Sequence, residues 1–373
     1  MARTLPPVPN HSHHVFHFTP DTLRDWCFAR GMPAFRAAQI LEWVYAKGII
    51  DPASMTNLSR RDRETLASDM AFLTGDVLAH QRASDGTQKL LIGWNEAPVT
   101  LPILAQTPST RKTECVMIPS QDPTGLRRTA CVSSQVGCPV GCRFCASGLD
   151  GLEANLTAGR IVEQVWRLGR LDGVGRITNV VFMGMGEPLA NISNVLHAVR
   201  TLAAPWGLGI SARRITISTV GLPKAIDRLA EELDLPITLA LSLHAPTDDL
   251  RRRLIPWAEF TTIRDLLDAC QRWFDKTGRE ITLEYTLLRG VNDQPEHAEA
   301  LASLARSMRA NVNLIRYNEV AGLEFKRPRT DDVRAFQAIL RLRHVNAHIR
   351  ASRGRDIAAA CGQLRHEAAR ASP

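Results

Sequence analysis

The chain has 373 residues, with 46 Lys and Arg against 38 Asp and Glu, for a formal net charge of +8. At 45% hydrophobic and 23% charged residues the composition is that of a globular protein, which excludes a disordered or collagenous chain. No apolar run approaches the roughly 18 residues that span a bilayer, the first residues have no apolar signal region, and eight cysteines are too sparse for a disulfide scaffold. The expectation is a cytoplasmic protein, away from membranes, whose thiols are free for chemistry.

Residues 1–18 lack periodicity and read as a disordered tail; the His-Ser-His-His cluster at 11–14 could also bind a metal. From 19 to 75 the pattern is helical. Leu23, Trp26 and Cys27 follow i, i+3, i+4 spacing, as do Ile40, Trp43 and Val44, and Arg60, Arg61 and Arg63 follow them. This is a small domain, either an RNA-binding accessory or a structural cap. Residues 76–124 form a β-rich extension, clearest at Lys89–Gly93 and Thr113–Ile118.

From 125 to 355 strands and helices alternate. Strands are expected at 129–133, 178–184, 214–219, 237–243, 281–288, 311–316 and 345–350. Helical spacing between them is carried by Ile161, Val165 and Leu168, and by Ile263, Leu266, Leu267 and Cys270. Val/Ile-rich strands separated by helices indicate parallel βα units. The fold class is therefore α/β, a partial (β/α)6 TIM-like barrel with a small helical accessory domain before it. Chemistry in such barrels collects at the carboxyl ends of the strands. A final segment, 356–373, follows the barrel.

Residues 326–373 carry 11 Lys and Arg against four Asp and Glu, leaving 35 against 34 in the first 325. Such a segment suits a polyanion partner, and a solvated helix face with a frayed end explains it equally.

From the first barrel strand into the loop directly after it runs Cys131-Val-Ser-Ser-Gln-Val-Gly-Cys138-Pro-Val-Gly-Cys142-Arg-Phe-Cys145. Cys138, Cys142 and Cys145 form C-x3-C-x2-C, a concentration of soft thiolates suited to zinc or an iron–sulfur cluster. A structural zinc site needs a fourth ligand, which Cys131 could supply. Three thiolates on a four-iron cluster leave one iron open.

The spacing resembles the signature of the radical S-adenosylmethionine enzymes. With Val181-Phe-Met-Gly-Met-Gly-Glu-Pro-Leu189, Ser242-Leu-His-Ala-Pro246 and Ala360-Cys-Gly-Gln-Leu364, the chain resembles the RlmN/Cfr family of RNA methyltransferases from about residue 19 to 366. The resemblance implies a radical-SAM barrel and one [4Fe-4S] cluster on Cys138, Cys142 and Cys145. The open iron would chelate S-adenosylmethionine, of which two molecules are used per turnover. It also implies that Gly186 and Glu187 contact the methionine amino group. Ser218, Ser242, Leu243, His244 and Asn318 would line the same pocket. Gly184 and Gly186 end a strand, where glycine lets backbone approach a ligand closely. Leu189 excludes a dinucleotide fingerprint.

Adenine C2 is electron-poor and has no acidic proton, so polar methylation is closed and radical chemistry is the route left. The resemblance implies that Cys361 first takes a methyl group as a thiolate. A 5′-deoxyadenosyl radical then abstracts hydrogen from that methyl, and the methylene adds to the ring carbon. Cys131 would release the product by forming a disulfide with Cys361. Glu114 matches the proposed general base. Arg350, Arg353, Arg355 and Arg365 surround Cys361 in sequence, a setting that lowers a thiol pKa and attracts phosphate. The loop at 119–130, with Arg127 and Arg128, is longer than the family pattern, and Trp257-Ala258 departs from it.

Aromatic residues are 6% of the chain, with only three tyrosines, so a stacking platform is not indicated. A flipped or unpaired adenine is the expected target. The resemblance implies C2 methylation of an adenine at the peptidyl-transferase centre of 23S rRNA and of the adenine 3′ of the anticodon in some tRNAs. It further implies an electron donor such as flavodoxin or ferredoxin, and a monomer. The paralogous alternative is C8 methylation of the same rRNA adenine, linked to antibiotic resistance. A non-catalytic, metal-stapled RNA-binding protein is a third reading, and would need neither Cys131 nor Cys361.

Overall fold

In the computed structural model, which describes residues 13–95, 111–120, 127–308 and 310–364, the barrel strands and the β-rich extension join in one ten-stranded sheet. The extension supplies β1 (Gly75–Arg82), β2 (Gln88–Trp94) and β3 (Arg111–Pro119). They pair antiparallel with one another and with β4 (Arg128–Cys131), the first barrel strand. A small hairpin, β5 (Gln135–Gly137) and β6 (Leu152–Asn155), frames the cysteine loop. The remaining strands are β7 (Asn179–Phe182), β8 (Ile215–Thr219), β9 (Thr238–Ser242), β10 (Thr282–Leu287), β11 (Asn311–Arg316) and β12 (Ala347–Arg350). From β4 through β7 to β12 all neighbours are parallel. Among the described residues β12 does not pair back to β4, so the barrel stays open on that side.

Among the described residues the α-helices are α1 (Pro20–Phe28), α2 (Arg36–Leu41) and α3 (Arg60–Asp69) before the barrel and α4 (Ala158–Leu168), α5 (Ile192–Ala203), α6 (Pro223–Glu232), α7 (Asp248–Leu254), α8 (Ile263–Thr277), α9 (Pro295–Ser307) and α10 (Thr330–Leu342) within it. Several start where a short polar side chain takes up free amide groups. Thr157 caps α4 (Ala158–Leu168), and Thr262 closes a capping box on α8 (Ile263–Thr277), which ends on left-handed Gly278. Helix α4 is buried along most of its length because the amino-terminal helices cover its outer side, with the Trp166 indole donating to the Val44 carbonyl at 3.0 Å.

Residues 13–18 correct the expected tail. Val15 and Phe16 are fully buried, and His14 lies 3.3 Å from Glu163 on α4. Two apolar residues are too short a run to show periodicity, yet they fasten the helical domain to the barrel. Residues 1–12 lie outside the described residues. Strand β1 slips register between Val77 and Ala79, leaving Leu78 over Gly93. Cys27, Cys115 and Cys270 are buried in the main apolar core.

Candidate active site: two cavities that meet at Cys361

The carboxyl ends of the parallel strands open into two adjoining cavities. The inner one is lined by Cys138, Cys142 and Cys145, by Gly186 and Glu187 after β7, by Ser218 and Ser242 near the ends of β8 and β9, and by His244 just beyond β9. The outer one is lined by Cys131, Asn318, Arg127 and Arg353. Cys361, Met183, Ile315 and Arg350 border both. The structure thus brings together most residues expected from the sequence.

The three loop cysteines are half-buried and pack against an apolar group that includes Val140, Phe144 and Leu254. Burial pushes all three thiols up, Cys138 to about 12, and as thiolates they would repel one another. Only a cation would keep them ionised together. A structural zinc site needs a fourth ligand, and Cys131 lines the outer cavity, apart from the three loop cysteines. A four-iron cluster takes each of three thiolates on a separate iron. The donor set fits a cluster better than zinc.

Glu187 is buried, and its two carboxylate oxygens accept the N–H groups of Leu189 at 2.9 Å and Val220 at 2.8 Å. Burial raises its pKa against those hydrogen bonds. His244 accepts the Thr286 N–H at Nδ1 at 3.0 Å, so Nε2 carries the proton of the neutral ring. Burial drives its pKa down to about 3, and the Arg251 charge adds to the effect. Ser218 and Ser242 hydroxyls stand 3.2 Å apart.

Gly184 and Gly186 border the inner cavity, and their small size also makes room for protein: a Cβ on Gly184 would sit 2.6 Å from the Val132 carbonyl, and one on Gly186 would sit 2.6 Å from Gln135 Cβ. Two expectations need revision. Leu243 buries its side chain in the main core, and its N–H donates to the Glu284 carbonyl at 3.1 Å. Asn318 faces the outer cavity, donating to the Cys361 carbonyl at 3.4 Å while accepting from Arg327 at 2.9 Å.

Glu114 borders neither of the two cavities. It is buried on β3 with Lys89 Nζ 2.7 Å from Oε1. Of the arginines near Cys361 in sequence, Arg350 lies at the junction of the cavities. Its pKa is raised by the neighbouring Cys361, and its guanidinium stands 3.9 Å from Glu284. Arg353 turns toward Asp85 at 3.8 Å, whereas Arg355 is exposed. Arg365 lies outside the described residues. Burial pushes the Cys131 thiol up to about 12.

Sequence reasoning missed Glu284 and Arg251. Glu284 stands as the one charged residue in a strand that is otherwise uncharged, a signal that could have marked it. Arg251 is one of three consecutive arginines, and only the fold shows that it is buried. It donates to the carbonyls of Leu243 and Val220 behind the cysteine loop.

Residues 132–302 match the model of the radical SAM superfamily, and residues 14–71 match that of the ribosomal RNA large subunit methyltransferase N-terminal domain. A probable dual-specificity RNA methyltransferase RlmN from Rhodopirellula baltica is 43% identical over 95% of this chain and 91% of its own. The dual-specificity RNA methyltransferase RlmN of Dichelobacter nodosus is 40% identical over 94% and 93%. The crystal structure of a radical SAM methyltransferase from Sphaerobacter thermophilus superposes with a TM-score of 0.86 at 41% identity, covering 94% of this chain and 98% of that one. An open radical-SAM barrel, a loop of three closely spaced cysteines at its mouth and similarity along almost the whole length agree: this chain belongs to the RlmN family of radical S-adenosylmethionine RNA methyltransferases.

Proposed function

We propose that this enzyme methylates C2 of one adenine at the peptidyl-transferase centre of 23S rRNA and of the adenine 3′ of the anticodon in some tRNAs. The observation that carries the reading is the position of Cys361, which borders the inner cavity with the cluster cysteines and the outer cavity with Cys131. A methyl carrier needs access to donor and acceptor in turn, and this is where one would stand.

When bound, the cluster and S-adenosylmethionine supply the methyl group and the hydrogen-abstracting radical. Cys138, Cys142 and Cys145 would hold the cluster, and Gly186, Glu187, Ser218, Ser242 and His244 would enclose S-adenosylmethionine, with Asn318 steadying the carrier segment. Cys361 Sγ accepts the methyl and later carries it to the adenine ring. The ring carbon must lose a proton, and its unpaired electron returns to the cluster; Glu114, the base expected from the sequence, is buried against Lys89 and borders neither cavity, so it takes that proton only if RNA binding opens the pair. Cys131 Sγ, as thiolate, then attacks Cys361 Sγ, forming an S–S bond as the S–C bond to the product breaks; the methylene carbon keeps that electron pair and takes up a proton to become the methyl group. External reductant must return two electrons to restore both thiols. Arg127, Arg350 and Arg355 give the outer cavity and its surroundings the charge to hold phosphate. The enzyme works in the cytoplasm as a monomer, reduced by a flavodoxin or ferredoxin.

Anaerobically reconstituted Cys131→Ala enzyme should accumulate an RNA conjugate on Cys361, and the wild type should yield 2-methyladenosine in both RNAs by mass spectrometry. Appearance of 8-methyladenosine would move the chain to the C8 reading. Absence of a conjugate with full methylation would remove the carrier mechanism.

A further inference from the structure

Lys89 is a lysine buried inside the sheet, with only 6% of its surface exposed. Removing an ammonium from water is costly unless the group is paired and hydrogen-bonded. Lys89 meets both conditions. Its Nζ lies 2.7 Å from Glu114 Oε1 and donates to the Ala358 carbonyl at 3.4 Å. Ala358 is in the segment leading to Cys361, and it holds a strained left-handed backbone at φ 49°. Cross-strand register places Lys89 opposite Val116, and Val116 opposite Cys131. The lysine therefore shares a row with the second reactive cysteine.

The turn of the same β1–β2 hairpin makes further contacts. Asp85 Oδ2 accepts the Gly354 N–H at 3.1 Å, and the Ser84 N–H donates to Asp356 Oδ2 at 2.8 Å. Gly354 is left-handed, and a Cβ there would meet Thr87 Cγ2 at 2.9 Å. On its other side the segment is held by the cysteine loop: the Ala146 N–H donates to the Gly362 carbonyl at 2.8 Å, and Ser147 Oγ to the Leu364 carbonyl at 2.7 Å. The segment is suspended between two elements far from it in sequence.

We propose that the β1–β2 hairpin is the seat of the methyl-carrier segment, and that Lys89 and Asp85 are the positioning residues that keep Cys361 at the junction of the two cavities. This rests on the reading of Cys361 as the carrier. Lys89 touches neither cavity and acts through the backbone at Ala358; Asp85 acts through that at Gly354. Glu114 has a second duty in this arrangement, as the counter-charge that lets Lys89 stay buried.

The test uses reconstituted full-length enzyme without RNA. Alkylation of each cysteine by iodoacetamide is followed by mass spectrometry, with buried Cys27 and Cys270 as internal references. Cys361 S-methylation by S-adenosylmethionine, iron content and S-adenosylmethionine affinity are measured alongside. Asp85→Ala and Lys89→Met should each speed Cys361 alkylation about tenfold through local opening of the segment. Both should slow its methylation about tenfold or more, the usual cost of misplacing a reacting atom. Iron content and cofactor affinity should not change. Asp85→Asn keeps an oxygen for the Gly354 N–H and should restore both rates. If Lys89→Met fails to fold, Lys89→Met with Glu114→Gln replaces the ion pair by a neutral one, and the alkylation and methylation readouts still apply. Unchanged alkylation, or faster alkylation with unchanged methylation, overturns the proposal. Failure of wild-type Cys361 to become methylated would instead overturn the carrier reading, while alkylation still reports on the seat.

Discussion

Release of the RNA product should be strongly pH-dependent, because Cys131 must ionise before it can attack. Burial pushes its thiol up to about 12, and the adjacent Cys361 adds to the rise. Arg350 and a backbone hydrogen bond from Met183 oppose the shift without cancelling it. Against a thiol of pKa 9.0, the thiolate fraction at pH 8 falls about a thousandfold, from roughly one in ten to about one in ten thousand. Only the thiolate is a nucleophile, so the rate of disulfide formation should rise about tenfold per pH unit from about pH 7 to 9. Once Cys361 is alkylated its repulsion disappears while Arg350 remains, which lowers the pKa somewhat but leaves the slope intact. The assay is a pH jump on preformed enzyme–RNA conjugate, with loss of the conjugate followed on denaturing gels. A rate that is flat across this range would mean that Cys131 is already ionised or hands its proton to a nearby base, and burial would then not govern its reactivity.

Two further outcomes follow from other parts of the molecule. Burial alone would raise the pKa of Glu163, but His14, Arg167 and the Thr74 N–H outweigh it and hold the carboxyl below its usual 4.5. Its ionised form therefore stabilises the fold above about pH 4.5, and that contribution is lost as pH falls through the depressed value. Urea midpoints measured from about pH 3 to 6 should fall steeply at the acid end, and Glu163→Gln should flatten that fall. Gly186→Ala would force a Cβ into Gln135 at φ 100° and should cost about 1–3 kcal/mol in urea unfolding. A cost below about 0.5 kcal/mol would show that the loop after β7 yields more easily than its packing indicates.

The parallel strands were legible because Val- and Ile-rich runs between amphipathic helices have few other uses. Strand β4 begins one residue earlier than expected and β12 two residues later, which is the ordinary fraying of strand ends. The cysteine loop was legible because its spacing is itself chemistry. Charge was a poorer guide. Arg353 and Arg355 look equivalent in the sequence, yet one is turned in against Asp85 and the other faces solvent. A count of charges carries no information about direction. Nor could the division into two cavities be read from the chain. It arises where the segment around Cys361 lies across the barrel mouth, through contacts such as Lys89 to Ala358 that span 269 residues. Lys89 and Glu114 sat in recognised strands, but alternation alone leaves open whether such a pair faces water or the interior.

The slipped register in β1 bears on how the protein behaves at high concentration. This strand is one end of the ten-stranded sheet and shows most of its length to solvent, including Val77 and Leu78, exposed by 44% and 47%. A straight edge strand with exposed large apolar side chains recruits strands from neighbouring molecules. The extra residue twists the edge at the point where its two large apolar side chains lie and spoils its fit to a second straight strand. Deleting Leu78 would restore continuous pairing with β2 and leave a regular edge. The expected result is material that aggregates during expression or concentration while its catalytic groups remain intact.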